Sequence, residues 1–450
     1  MPLAIVVVLL VIGSVIFHIV SPWWFTPIAS NWSMMDNTVQ LTFWVTGFVF
    51  VTVNLFMAYS IIKYRHRPGN KAEYRPEDKK LEWWLTGITT LGVAALLAPG
   101  LMVWGKFVTV PKDASVVEVM GQQWNWSYRY PGKDGALGAT DNRLMTPDNP
   151  FGIDPNDPKG QDDVLVQSQD LHLPINKPVK VLLRSRDVTH QYAVPQFRVK
   201  MDMVPGMVTY FWFTPTKLGT YPVLCEQLCG IAHFAMRGRV VVDDQATYDA
   251  WLAQQATYTT SVAAKSDATA GAANYAVCSA CHGADAQGNP ALNAPKLAGQ
   301  ESWYLARQLY GFRHQLRGAD PKDTYGQQMA PMAATLADDA AVRNVVAYIA
   351  SLPAGERAPA TVAGNAAHGK VIYSTCANCH GASGEGVWAT NAPRLQGMSD
   401  WYLKRQLENF KGGVRGAHVE DFPGAQMAQL AGVLNDDHAV ADVLAYLDTL

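Results

Sequence analysis

Cys225-Glu-Gln-Leu-Cys229-Gly-Ile-Ala-His233-Phe-Ala-Met236 is the stretch around which this chain is organised. Two thiols, an imidazole and a thioether lie within twelve residues, a soft, nitrogen-containing donor set that suits copper or zinc far better than magnesium or calcium. The plainer alternative is a disulfide beside a packed Met and His. Spacings of four, four and three residues instead point the four side chains into one small volume. The donor list alone leaves copper and zinc both open.

A length of 450 residues predicts about three domains, and the net charge of -2 argues against nucleic acid as a partner. The six cysteines form three pairs, Cys225 with Cys229, Cys278 with Cys281 and Cys376 with Cys379. Each pair sits inside a cofactor motif, so no thiol is left for a structural disulfide.

Residues 3–20, 41–62 and 83–104 are apolar runs near the roughly 20 residues that cross a bilayer as a helix, and they make residues 1–107 a membrane part. Lys63, Arg65, Arg67, Lys71, Arg75, Lys79 and Lys80 crowd the segment between the second and third runs, whereas residues 21–40 hold no Lys or Arg. Basic loops stay on the cytoplasmic side, so the chain crosses outward at 83–104 and everything from Val108 to Leu450 lies outside the cytoplasmic membrane. The first run reads as a retained helix rather than a signal peptide: no basic residue precedes it, and Pro27-Ile-Ala-Ser30 is a weak cleavage site. Trp23, Trp24, Phe25, Trp83 and Trp84 suit interfacial anchoring.

From Ser115 the texture changes to short strand-like runs, Val116–Met120, Val164–Gln167, Val179–Arg184 and Arg239–Val242, broken by Pro-, Gly- and Asp-rich turns. This predicts an antiparallel β sandwich or barrel over residues 108–250. His190 follows Asp187 by three residues, and Val194-Pro195, Val199-Lys200-Met201-Asp202 and Pro205-Gly206 come next. A second imidazole is what a copper site otherwise lacks.

The hydrophobic hairpin, Gln123-Trp124-Asn125-Trp126-Ser127-Tyr128, the run Asp187 to Gly206 and the segment Cys225 to Met236 together resemble subunit II of the haem-copper oxygen reductases, the cytochrome c oxidases, over roughly residues 38–250. The resemblance implies a cupredoxin-like all-β domain with a binuclear copper centre, CuA. In it Cys225 and Cys229 bridge both metals, one copper adds His190 and Met236, and the other adds His233 and the main-chain carbonyl of Gln227. Gln227 stands where the family commonly has Glu, a carboxylate that in many relatives also helps hold a magnesium, so no magnesium is predicted. Trp124 occupies the position that in the family receives electrons from cytochrome c, although a packed core aromatic would look the same. Glu82 resembles an acid at a proton-channel mouth, and a solvated interfacial Glu is the plainer reading.

Residues 251–271, rich in Ala, Thr, Ser and Gly, read as a linker. Cys278-Ser-Ala-Cys281-His282 and Cys376-Ala-Asn-Cys379-His380 are both C-x-x-C-H, in which two thiols add covalently to haem c vinyls and the His ligates iron. The copies are offset by 98 residues without a gap, Pro295 answering Pro393, Trp303-Tyr304-Leu305 answering Trp401-Tyr402-Leu403, and Tyr348 answering Tyr446. Two all-α domains are expected, 272–352 and 366–450, joined by an Ala- and Pro-rich linker at 353–365. The repeat also selects the sixth iron ligands. Met329 and Met427 persist as Met at the offset, whereas Met332 faces Leu430 and is expected to pack in the haem pocket. The pattern resembles class I cytochromes c in fused dihaem pairs, and so, with the part before it, a caa3-like dihaem subunit II. That likeness implies that the carbonyls of Pro295 and Pro393 bond the proximal imidazoles. His314, His368, His418 and His438 lack repeat partners and are expected at the surface.

The resulting expectation is an electron-transfer subunit of a membrane terminal oxidase. It would take electrons from a soluble cytochrome c or a quinol-oxidising complex and pass them through haem c and CuA to a haem-copper catalytic subunit I. The other oxidase subunits would assemble with it in a bacterial cytoplasmic membrane. The chain lacks the many membrane histidines that a catalytic subunit needs. Two alternatives are the same module feeding a nitric oxide reductase, which Gln227 leaves open, and a free-standing membrane-anchored redox shuttle or copper carrier, against which the extra helices count.

Overall fold

The computed structural model describes residues 2–21, 26–71, 74, 76–166, 168–357, 359–435 and 437–450. Trp23, Trp24, Phe25, Arg75 and Gln167 therefore lie outside the described residues. Each expected span is a helix: α1 (Pro2–Val20), α2 (Ser33–Lys63) and α3 (Lys79–Val108). Asp78 starts α3 by accepting the Leu81 amide at 3.0 Å, which satisfies one of the free N–H groups of the first turn. The helices are apolar all round, with side chains such as Phe48, Leu91 and Trp104 exposed, as lipid-facing surfaces require. Glu82 is exposed in the first turn of α3.

α1 and α2 run antiparallel: Ala4 and Val7 share a cluster with Ala58, and the rings of His18 and Phe43 meet at the other end. At about 1.5 Å per residue α2 is roughly 46 Å long, more than the ~30 Å of hydrocarbon, so it begins beyond the bilayer. Its start is fixed to the next domain. Buried Trp32 donates to the Trp212 carbonyl at 2.9 Å, and Arg198 pairs with Asp36 at 2.7 Å.

Ten strands follow: β1 (Ser115–Gln122), β2 (Asn125–Tyr130), β3 (Val164–Val166), β4 (Asp170–Pro174), β5 (Val179–Ser185), β6 (His190–Val194), β7 (Val199–Met203), β8 (Thr209–Phe213), β9 (Gly219–Cys225) and β10 (Arg237–Asp243). They form two five-stranded sheets, ordered β3-β2-β1-β5-β8 and β4-β10-β9-β6-β7. The expectation of an antiparallel sandwich is corrected here. β1 pairs with β5 in parallel, Val117 opposite Val181, and β4 pairs with β10 in parallel, Leu171 opposite Val240. Alternating burial reports which face a residue takes and carries no information on the direction of its neighbour. Between the sheets, Val119, Trp126, Tyr128, Tyr192, Phe211 and Val240 are fully buried. On the outer face of β1, Glu118 accepts from Arg129 at 2.5 Å and from Arg184 at 2.9 Å, and Arg129 also reaches Asp163 at 2.7 Å, so buried charges are matched rather than stranded.

The first part of the expected linker at 251–271 is packed, a second correction. α4 (Gln245–Leu252) ends with Trp251 stacked on His172 at 4.1 Å, and α5 (Tyr258–Ser261) buries Tyr258 against Ile153 and Leu165. Two large aromatics anchor a stretch whose composition otherwise reads as loose.

The tail is two copies of one helical domain. α6 (Ala268–His282), α7 (Ser302–Arg313), α8 (Thr324–Ala334) and α9 (Asp339–Ser351) are matched by α10 (Ala366–His380), α11 (Asp400–Lys411), α12 (Phe422–Ala431) and α13 (Asp437–Leu447). The first and last helices of each copy cross at a glycine. A Cβ on Gly271 would fall on the Asn344 carbonyl oxygen, and one on Gly369 on that of Asp442. The expected linker 353–365 is also tied down, with the Thr361 and Val362 amides bonded to Asp400 and the Pro353 carbonyl to Gln287.

Candidate functional site

The copper-type segment is the loop of a hairpin. Cys225 ends β9, Met236 directly precedes β10, and the Cys225 amide donates to the Met236 carbonyl at 3.3 Å, so antiparallel pairing closes the loop and brings its two ends together. β6 lies on the other side of β9 with Tyr192 opposite Cys225, which delivers His190 from 35 residues upstream. The Sγ atoms of Cys225 and Cys229 are 3.7 Å apart. That is far beyond a disulfide bond of about 2.05 Å and within reach of two metal–thiolate bonds of about 2.3 Å. His190 Nδ1 is 4.0 Å from Cys225, His233 Nδ1 3.4 Å from Cys229, Met236 Sδ 3.8 Å from Cys229, and the Gln227 carbonyl 3.2 Å from Cys225. All six residues singled out in the sequence thus converge. No disulfide joins any of the six cysteines.

The thiol pair titrates as a unit. A hydrogen bond from its neighbour draws the Cys225 thiol far below the ordinary range, and the same bond holds the second proton on Cys229. Asp187 is the residue that sequence reasoning passed over. It accepts from His190 Nε2 at 2.8 Å and from the Gln123 amide at 2.7 Å, which turns Nδ1 toward the thiols. Burial alone would raise the Asp187 carboxyl, but the hydrogen bonds from His190, Gln123 and Val188 bring it below its usual range. Its signal in the sequence was only a carboxylate three residues before a His, which is commonplace.

Trp124 is 3% exposed. Its Nε1 donates to the Cys229 carbonyl at 3.0 Å, and Gln123 Nε2 donates to the same oxygen at 2.7 Å. Above it lies the second cytochrome copy. Gln426 Nε2, on α12, donates to the Trp124 carbonyl at 2.5 Å and the Ala235 carbonyl at 3.2 Å. Arg186 stacks on Trp388 at 3.5 Å, and Cys379 and Ala392 join the buried cluster that holds Trp124, Cys225 and Met236. A separate protein approaching Trp124 meets α12 first. Gln426 adjoins Met427, and no pattern in the sequence links it to a residue some 300 positions earlier.

In the helical copies, His282 Nδ1 donates to the Pro295 carbonyl at 2.8 Å and His380 Nδ1 to the Pro393 carbonyl at 2.7 Å. A carbonyl only accepts, so the proton sits on Nδ1 and Nε2 keeps its lone pair for iron. Both imidazoles are buried, and burial pushes each below the usual His range and favours the neutral ligand form. Cys278 and Cys281 lie one turn apart on α6, as Cys376 and Cys379 do on α10, while Met329 on α8 and Met427 on α12 are half-buried. Met332 is exposed, and its counterpart Leu430 is half-buried against the cluster that joins Cys379 and Ala392 to the copper-type domain. The interface between the copies fits an anionic group. Arg317 and Arg415 bond Gln308, Gln406, Tyr304 and Tyr402, neither makes an ion pair among the described residues, and the buried Nε of each has no partner. His314, His368, His418 and His438 are all exposed.

Comparison with known proteins identifies both kinds of domain. A family model for the periplasmic domain of cytochrome c oxidase subunit II matches residues 115–244, and a cytochrome c model matches twice, at 268–353 and 366–450. An alternative cytochrome c oxidase subunit 2 from Bradyrhizobium diazoefficiens is 60% identical over 258 residues, 57% of this chain and 93% of that one. Among solved structures, the periplasmic domain of subunit II of cytochrome oxidase from Bradyrhizobium japonicum is 30% identical, covering 32% of this chain and 95% of that one, with a TM-score of 0.24. Reduced cytochrome c4 from Pseudomonas stutzeri is 28% identical, covering 41% and 100%, with a TM-score of 0.33. The chain belongs to the cytochrome c oxidase subunit 2 family, as a membrane-anchored electron-transfer subunit of a haem-copper oxidase with copper-type and haem c domains on the periplasmic side.

Proposed function

We propose that electrons pass along this chain from the first cytochrome domain to the second, from there into a binuclear copper centre, and on to the catalytic subunit. The observation that carries the reading is Gln426, which seats α12 on the carbonyls of Trp124 and Ala235 beside the copper loop. Cys225 and Cys229 would hold both coppers, with His190 and Met236 as further donors to one and His233 and the Gln227 carbonyl as further donors to the other. His282 and Met329 would hold the first haem iron and His380 and Met427 the second, with Cys278, Cys281, Cys376 and Cys379 as the thiols for covalent attachment. When bound, two thiolate-bridged coppers share one unpaired electron and change oxidation state with little movement of their ligands, while His/Met ligation raises the potential of a haem relative to two histidines.

The chain's own residues keep this relay rigid. Asp187 holds His190 in one tautomer, and Trp124 lies between the Cys229 carbonyl and α12, so it is the entry residue for electrons from the second domain. The donor to the first domain is a soluble one-electron carrier. Three spans in a bacterial inner membrane fit the charge pattern. The basic residues 63–80 lie inside, and residues 29–32 are bonded to the outer domain through Ser30, Phe197 and Trp212. Purified complex should yield two coppers and two c haems per chain with the electron-resonance signal of a shared-spin copper pair. One zinc and no copper would overturn the assignment.

A further inference from the structure

The two cytochrome copies superpose in sequence without a gap, yet one of them has a face that the other uses. In the second copy, Cys379, Trp388, Gln426 and Leu430 lie at the copper domain: Cys379 belongs to its buried cluster, Leu430 packs against that cluster half-buried, Trp388 lies under Arg186, and Gln426 holds two of its carbonyls. The positions 98 residues earlier are Cys281, Pro290, Gln328 and Met332, and all four are exposed. Leu292 stands beside them, 51% exposed, and Met332 is 39% exposed. The local frame is the same in both copies. His282 and His380 bond their prolines alike, Tyr275 and Tyr373 both donate to the carbonyl after the His at 2.8 Å, and Asp323 and Asp421 cap α8 and α12 alike. The five residues of the first copy therefore make one patch at the haem-attachment edge.

We propose that this patch is the docking face for the external electron donor, a small soluble one-electron carrier protein that presents its own cofactor edge through apolar and uncharged residues. The inference rests on the reading above that electrons run from the first cytochrome domain inward. Continuity with an interface of the same fold argues for the occupant, because in the second copy this face already abuts an electron-transfer partner inside the chain. The chemistry of the patch argues for its character. None of Cys281, Pro290, Leu292, Gln328 and Met332 is charged; the exposed Lys322 stands where the second copy has Glu420 lining the cleft against the copper domain, and Arg405 donates to Asn293 beside Leu292. A carrier that docks through a dense ring of lysines finds no matching acids here. One electron moves per encounter, the carrier being oxidised and the first cytochrome domain reduced, with no proton or group transferred.

The test uses the intact, metallated oxidase complex with Leu292→Glu and Met332→Glu combined, and a Leu292→Met, Met332→Leu version as the conservative control. With a reduced soluble cytochrome as donor, the second-order rate of c-haem reduction should fall at least about tenfold in the charged variant and recover in the conservative one. Raising the salt from about 20 mM to about 300 mM should change the wild-type rate by less than about threefold. An unchanged rate in the charged variant, or a wild-type rate that collapses more than about tenfold with salt, would overturn the proposal. A small-molecule mediator should drive oxygen consumption equally in all three. Should the mediator reduce the haems of the wild type while its copper stays oxidised, the inward relay itself fails, and that failure is separate from the docking face.

Discussion

The two cytochrome domains are one structure used in two ways. Their helices begin and end 98 residues apart, their proximal histidines are held at 2.8 and 2.7 Å by equivalent prolines, and both close their first and last helices over a glycine. Yet Cys379 is 9% exposed and lies in the core cluster of the copper domain, while Cys281 faces solvent. Position in a relay is set by what surrounds the haem edge, and a duplicated domain can hold two positions by changing a few surface residues. Trp388 for Pro290 is one such change, since it gives Arg186 a ring to stack on.

The comparison breaks hardest at the imidazoles. His380→Ala should remove the second haem and lower donor-driven oxygen consumption more than about a hundredfold, with the copper left oxidised after donor is added; one catalytic link lost from a serial relay cannot be bypassed. His282→Ala should abolish donor entry equally but leave mediator electrons a path to the copper through the second domain. If His282→Ala alone isolates the copper, the order of the domains is reversed.

Folding should treat the copies as equals. Gly271→Ala and Gly369→Ala each drive a methyl into a backbone carbonyl, and each should cost its own domain about 2–3 kcal/mol, read as loss of covalent haem or a lowered unfolding midpoint. Docking should not treat them so. Arg186→Ala removes a cation held on Trp388, worth about 0.5–2 kcal/mol, and should slow transfer from c haem to copper several-fold, whereas Gln328→Ala, the first copy's counterpart of Gln426, should leave that internal step unchanged.

The smallest expected effect is a control in neither copy. Burial raises the Asp163 carboxyl to about 6 despite its pairing with Arg129. The folded state then holds a proton that the unfolded chain has lost, so this group costs no stability below about pH 4, and its cost grows as pH rises and is complete above about pH 6. Asp163→Asn should flatten the fall in stability between those values, measured as a denaturant midpoint against pH, with haem content unaffected.

What could be read from the sequence follows how locally each feature is written. The copper loop is legible because a hairpin holds its donors within twelve residues, and the duplication because 98 residues separate the copies without a gap. Among the proposed haem ligands, Met329 and Met427 emerge only from aligning the copies. His190 came by resemblance, since the cross-strand pairing of β6 with β9 that delivers it leaves no spacing rule. Asp187, Gln426 and the pairing of Arg186 with Trp388 were invisible. The first looks ordinary and the others join residues from opposite ends of the chain. Residues 251–262 misled by composition, because Trp251 and Tyr258 outweigh the small residues around them. The parallel strand pairs misled for another reason: a strand's pattern records its faces and leaves its neighbours unspecified.

The central claim is that the second cytochrome domain is the one seated on the copper loop. Electron-resonance relaxation of the oxidised copper pair tests it without turnover, because a nearby ferric haem shortens the relaxation of the copper spin. The enhancement should vanish in His380→Ala and persist in His282→Ala. Persistence in His380→Ala with loss in His282→Ala, or no enhancement in the wild type, would contradict the account.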